Sequence, residues 1–181
     1  MRRSGVPTDE DMLALVKVVP DRCQAAIWCG AGEGLRLGEV LGLENSERCI
    51  DRSRQELHVV QQLRFHKGQY GGFYLARPKS GSVGDVDLDD HVALALGEHV
   101  RKYPPALVEL PDITGGTPDP GKRAKRRTVS LLFTDDQGKP IQPDRRAERA
   151  TAFQPADHAG DVCALVAEEE PPSQHRQHGA S

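Results

Sequence analysis

The spacing of the apolar residues changes once along this chain, near position 56, and that change demands a fold that mixes helix and sheet. Before it the period is helical. Met12, Leu15, Val16 and Val19 stand at i, i+3, i+4 and i+7. Thr8 precedes them as an N-cap, and Asp9, Glu10 and Asp11 put negative charge in the first turn. Pro20 breaks this helix. A second follows with Cys23, Ala26, Ile27 and Gly30 on one face, ended by the glycines of GAGEG. A third, short helix runs through GLRLGEVLGL, where Leu37, Val40 and Leu41 share a side.

From residue 56 the apolar positions alternate. ELHVVQQL, GGFYLARPKSG and GDVDL each read as a strand, with Leu57, Val59, Phe73, Leu75, Val86 and Leu88 on the inner face. Residues 56–88 are therefore expected to form one antiparallel three-stranded sheet. Asp89 or Asp90 caps a further helix whose buried stripe is Val92, Leu96, His99, Val100 and Tyr103, stopped by Pro104 and Pro105. VELPDITGGTPDPGKRAKRR reads as a loop, TVSLLFTD as a short strand and DDQGKP as a turn. The expected fold class is α+β, mainly helical, with helices packed on that small three-stranded sheet.

Composition bears on the segment beyond that turn. The chain is 37% hydrophobic and 4% aromatic, with 18 Gly and 13 Pro, which is thin for 181 residues. Between residues 143 and 181 the Leu/Ile/Val/Phe set is represented only by Phe153, Val162, Leu165 and Val166. Such a segment buries too little apolar surface to offset its ordering entropy, so a disordered or weakly helical tail is expected.

Several function classes are excluded or disfavoured. With 24 Lys+Arg against 27 Asp+Glu the formal charge is −3, so the chain is no global polycation. No apolar run approaches the ~18 residues that a membrane span needs. The N-terminal MRRSGVPTDEDM lacks the apolar core of a secretory signal, and the expected compartment is the cytoplasm. Cys23, Cys29, Cys49 and Cys163 form no CxxC pair, which argues against a metal site or a disulfide scaffold. GAGEGLRLG departs from both phosphate-loop patterns: no strand precedes it, no Lys-Ser/Thr comes after it, and position 35 is Leu. No cofactor is expected.

The informative residue is Arg36. It opens a short helix among Leu35, Leu37, Val40 and Leu41, where a guanidinium is costly unless its five donors find acceptors. Glu39, three residues on, is the nearest acceptor. On spacing alone, an ordinary i,i+3 ion pair worth a few tenths of a kcal/mol is as good a reading as a functional one.

GLRLGEVLGL is similar to the first arginine box of the tyrosine recombinase (phage integrase) family. Its surroundings agree with that family: a helix ending in AAIWCGAGEG, then a three-stranded sheet, with Lys79, in ARPKSGSVGDVDL, in the turn between its last two strands. The resemblance covers about Pro7 to Asp135. It implies that Arg36 grips a non-bridging oxygen of the scissile DNA phosphate, a task suited to a bidentate guanidinium. It implies that Lys79 protonates the 5′-oxygen leaving group, and that Glu39 supports the arginine helix. DNA is the implied partner, and DNA integration and recombination the implied activity. The plain alternative for Lys79 is an exposed turn lysine.

The departures from the family bear on catalysis. None of the 7 histidines has Arg three residues after it, so the HxxR box is missing. Tyr103 is the last tyrosine, far upstream of the family's nucleophile, and without that hydroxyl no phosphotyrosyl intermediate forms. Asp85 and Asp87 place acid where the family tends to be basic or neutral. The expectation is a partial catalytic domain over residues 1–141 and a low-order tail over 142–181, truncated by a change of reading frame near Ile141. A second reading is a non-enzymatic DNA-binding remnant that uses Lys122, Arg123, Lys125, Arg126 and Arg127. Residues 120–149 hold nine basic and four acidic side chains, a local +5. The bland readings are a solvated loop there and a product without function.

Overall fold

In the computed structural model, residues 8–79, 84–119 and 122–142 are described. The expected tail over 143–181 lies outside them. Three helices come first: α1 (Asp9–Val18), α2 (Asp21–Gly32) and the single-turn α3 (Leu37–Leu41). Met12 is buried on α1, while Ala26, Ile27 and Gly30 are buried on α2, on the faces that the helical period marks. Glycine ends α2, and Gly34 takes a φ of +67°, a conformation open to glycine at little cost.

Two expectations about the sheet fail. The described residues are not mainly helical, and the strands of residues 56–88 do not make one sheet. Among the described residues, seven strands build two, one of three strands and one of four. The first holds, in this order, β1 (Ile50–Asp51), β2 (Glu56–Val59) and β5 (Gly84–Asp87), all antiparallel. The second holds, in this order, β3 (Gln62–His66), β4 (Gly72–Ala76), β6 (Ala106–Asp112) and β7 (Lys125–Leu131).

The physical cause sits in ELHVVQQL. It is two strands, parted at Val60 and Gln61. Gln61 is 2% exposed, and its amide nitrogen donates to the carbonyl of Gly42 at 2.7 Å. This buried amide takes its partner from the α3 side, and the chain crosses there from one sheet to the other. β3 and β4 then form a hairpin, Gln62 opposite Ala76 and His66 opposite Gly72. The segment carrying Lys79 thus connects two sheets, not two paired strands.

The stretch read as a loop after Pro105 is also corrected. β6 runs through VELPD with Pro111 inside it, pairing parallel to β4 at Leu75–Asp112 and antiparallel to β7. β7 begins at Lys125, so three of the five basic residues assigned to a loop belong to a strand. Tertiary pairing overrides the Pro/Gly signal here.

The helix α4 (Asp90–Lys102) closes the fold. Asp89 caps it, accepting from the His91 amide at 2.8 Å, and Val92, Leu96 and His99 are its buried residues. The α2–α4 contact is close: a Cβ on Gly32 would meet Val92 Cγ2 at 3.0 Å. Ile27, Leu41, Leu57, Leu63, Leu75, Leu131 and Phe133 are among the largest fully buried side chains, and the layers meet around them.

Candidate functional site

α3 is bolted to the four-stranded sheet along its length. A Cβ on Gly38 would lie 3.1 Å from the Leu63 carbonyl oxygen, and one on Gly42 only 2.8 Å from the Leu63 nitrogen. Both contacts are with backbone, so two glycines at i and i+4 let a strand start lie against the helix. Beyond α3 the chain runs beside β7, with the Asn45 amide donating to Ser130 O at 2.8 Å and the Leu132 amide to Leu43 O at 3.1 Å.

Arg36 sits at the N-terminal edge of this helix. Its own amide donates to Glu39 Oε2 at 2.9 Å, and its Nη1 donates to Glu39 Oε1 at 3.2 Å. The partners differ in exposure: the Glu39 side chain is 6% exposed and that of Arg36 is 47%. The carboxylate is therefore spent on the protein. Among the described residues, Nε and Nη2 of Arg36 have no protein acceptor, and nearly half of the side chain is exposed. The pair is thus the i,i+3 ion pair that spacing allows, set in a capping box at the start of α3 with its acid buried.

Lys79 is exposed, three residues past the end of β4. Ala76 pairs with Gln62, whose backbone touches Gly42, and the Gln62 side-chain amide donates to the carbonyl of Arg77. The strand end that leads to Lys79 is thereby tied to the strand start that supports the Arg36 helix. Arg77, which no sequence motif marks, is exposed on the same connection, its Nε donating to Thr114 O at 2.6 Å.

The basic run divides once it is seen in place. Arg127 is not a surface cation. Its Nε donates to Asp112 Oδ2 at 2.7 Å and its Nη1 to Glu44 Oε2 at 3.1 Å, while Nη2 reaches Gln61 Oε1. Glu44 is 5% exposed, so Arg127 neutralises a buried carboxylate. Burial works against ionisation of Asp112, but hydrogen bonds from Thr114 and Arg127 outweigh it and hold its carboxyl below the usual value. Arg126 and Lys122 are exposed and paired with Glu109 (3.4 Å) and Asp119 (2.7 Å). Arg123 and Lys125 are exposed with no protein partner among the described residues.

Among the described residues, Tyr103, Cys29 and Cys49 are not poised as nucleophiles. Tyr103 donates its hydroxyl to Asp21 Oδ2 at 2.7 Å, and that bond raises its pKa. Asp21 begins α2, so this cluster stands about 18 Å from the Arg36 end of that 12-residue helix, at 1.5 Å per residue. Burial pushes the Cys29 thiol up, and the Cys49 thiol up to about 11, which leaves neither as a thiolate. Among the described residues, no group of His, Cys, Asp and Glu is arranged to hold a metal ion, and no helix is long and apolar enough to cross a membrane.

No family model matches the chain, and no curated protein matches it in sequence. Solved structures do match it in fold. The Tn1549 transposon integrase in complex with transposon right end DNA superposes with a TM-score of 0.58 at 16% identity, covering 92% of this chain and 53% of that one. The same integrase in complex with a circular intermediate DNA gives a TM-score of 0.59 at 16% identity, with coverages of 92% and 54%. The chain spans about half the length of the integrase chains it matches, and over that half it shares their fold.

Proposed function

We propose that this chain carries the first part of a tyrosine-recombinase phosphate site and acts on DNA. One observation carries the reading: Arg36 is anchored by a buried carboxylate while its outer nitrogens stay in solvent. Solvent satisfies those donors in the free chain, so they can pass to an anion without breaking a protein contact. A guanidinium held by one edge and open at the other is pre-organised to grip a non-bridging phosphate oxygen. The shared fold of the DNA-complexed integrases supports DNA as the source of that phosphate.

In a complete site of this kind Arg36 would neutralise charge as the phosphorus becomes five-coordinate, and Lys79, an ammonium on an exposed connection, would deliver a proton to the leaving 5′-oxygen. Glu39 is a positioning residue that acts through Arg36. Strand cleavage further requires an in-line nucleophile, and the sequence has no tyrosine beyond Tyr103 and no HxxR. The activity proposed for the chain itself is therefore DNA binding without cleavage.

The test is a duplex DNA titration by fluorescence anisotropy, paired with a nicked suicide substrate that traps covalent adducts. Arg36→Ala and Lys79→Ala are expected to weaken binding, and no adduct is expected. Binding indifferent to both substitutions would overturn the phosphate site. An adduct abolished by Tyr70→Phe, Tyr74→Phe or Tyr103→Phe would overturn the claim that cleavage is absent.

A further inference from the structure

The four-stranded sheet turns one face to the core, and its other face carries a row of residues that neither the arginine box nor the basic run accounts for. Arg64 on β3 is the cross-strand partner of Tyr74 on β4. β4 and β6 run parallel with Leu75 beside Asp112, which puts Tyr74 beside Pro111. Pro111 in turn pairs with Arg126 on β7. One line across four strands thus reads Arg64, Tyr74, Pro111, Arg126. At ~4.8 Å per strand, its two arginines stand roughly 14 Å apart.

Alternation separates this face from the core face. Arg127, Val129 and Leu131 point inward to the Glu44 network and the core, while Arg126 lies on the opposite side of β7. The middle of the row is covered: Tyr74 is 5% exposed and Pro111 is buried, so the open parts of this face are its two basic ends. Tyr70, held at a φ of 54° in the β3–β4 turn, sets its ring 4.7 Å from that of Tyr74 and helps to cover it. Among the described residues, the Tyr70 hydroxyl has no protein partner. Tyr70, Pro111, Lys122, Arg123 and Arg126 line a groove of about 500 Å³.

We infer that this outer face is a second DNA-backbone contact, distinct from the Arg36 site. Charge complementarity identifies the occupant. Arg64, Lys122, Arg123 and Arg126 face solvent against Glu109 and Asp119, and the acids are engaged only in exposed pairs. Pairs of that kind contribute little in water and exchange readily for a phosphate. The free Tyr70 hydroxyl at the groove adds a neutral donor for a phosphate oxygen, the mixture that positions proteins on duplex DNA without reading bases. The inference rests on the proposed DNA-acting function and extends it to a face that the resemblance does not assign.

The experiment titrates one labelled duplex against the parent chain, Arg36→Ala, and Arg64→Ala/Arg123→Ala/Arg126→Ala, across a salt series, with thermal melts as a folding control. Arg64 and Arg123 have no protein partner among the described residues, and Arg126 gives up only exposed contacts to Glu109, a bond from Nη2 to its carbonyl at 2.7 Å and the ion pair, so the fold is expected to survive. Tyr70→Phe, which keeps the ring and removes the hydroxyl, is the gentler companion. The triple variant is expected to bind at least tenfold more weakly at low salt. Its log–log salt slope should fall by about 0.9 for each phosphate no longer neutralised. Tyr70→Phe should weaken binding with the slope unchanged.

If the triple variant binds like the parent while Arg36→Ala does not, the outer-face contact is overturned and the Arg36 site stands. If the triple variant fails and Arg36→Ala binds normally, the outer face stands and the Arg36 reading falls. A parent chain that binds no duplex at all overturns both. Displacement of the duplex by polyglutamate at equal charge would assign the face to an acidic protein and overturn the choice of DNA.

Discussion

Arg127 Nη1 reaches Glu44 Oε2 at 3.1 Å across 83 positions of sequence, and this contact joins the strand β7 to the segment just after the arginine helix. The same guanidinium also holds Asp112 and Gln61. A residue that looks like one more phosphate contact in a basic run is instead the cation at the centre of a buried polar network.

Arg127→Ala is expected to destabilise the chain by about 3–5 kcal/mol, because it strands the Glu44 carboxylate in a site that is nearly closed to water. Arg127→Lys should recover only part of the loss, since one ammonium cannot serve three acceptors in a fork. Urea unfolding of both, beside Arg123→Ala as a neutral control, measures this. Equal stability of Arg127→Ala and Arg123→Ala would refute the network.

Arg36→Ala is expected to lower stability as well as DNA binding, since Glu39 loses the partner of its buried carboxylate. Arg36→Ala/Glu39→Gln separates the two effects. The glutamine still accepts from the backbone amide and carries no charge, so stability should return by about 1–2 kcal/mol. DNA binding should not return. Recovery of both would show that Arg36 acts through the fold alone.

Gly42→Ala should cost about 1–3 kcal/mol through overpacking. Its new methyl would lie 2.8 Å from the Leu63 nitrogen and 2.9 Å from Gln62 Cα, and backbone cannot step aside as a flexible side chain does. Gly97→Ala, a helical glycine whose Cβ meets nothing within 4 Å, is the control and should be neutral or stabilising. Thermal melts of the pair decide it.

His99 predicts a pH dependence. Its Nε2 donates to the Leu132 carbonyl at 3.0 Å, and its buried Nδ1 has no partner among the described residues. Burial holds its pKa below 6.5 in the folded chain. Below pH 6.5 the unfolded chain then binds a proton that the folded chain resists, so stability falls as the pH drops through this range and is unaffected by His99 above it. The carboxyls of Asp21 and Asp112, also lowered, act in the same direction but in the more acidic range below 3.8. His99→Phe should flatten the curve between pH 6.5 and the folded-state pKa. An unchanged slope there would exclude His99 as its source.

Local elements were legible in the order of residues alone. The helical period marks Met12, Ile27, Val92, Leu96 and His99 as buried, because each depends on neighbours three or four residues away, though Val100 and Tyr103 of the same stripe are only half-buried, and it is Asp89 rather than Asp90 that caps the helix. The period also marks Arg36 and Glu39, since a charged pair inside an apolar turn is a local anomaly. Partnership between strands, by contrast, was settled only in three dimensions. Alternation tells which residues share a face of a strand, but not which strand lies alongside. ELHVVQQL divides between two sheets because Gln61 finds Gly42 and Arg127, neither of which is near it in sequence. VELPD becomes a strand because β4 and β7 flank it, despite its proline. The basic run splits for the same reason. Pairing to β6 turns Arg127 toward Glu44 and Arg126 toward solvent, so a one-residue step along β7 separates a core cation from a surface one.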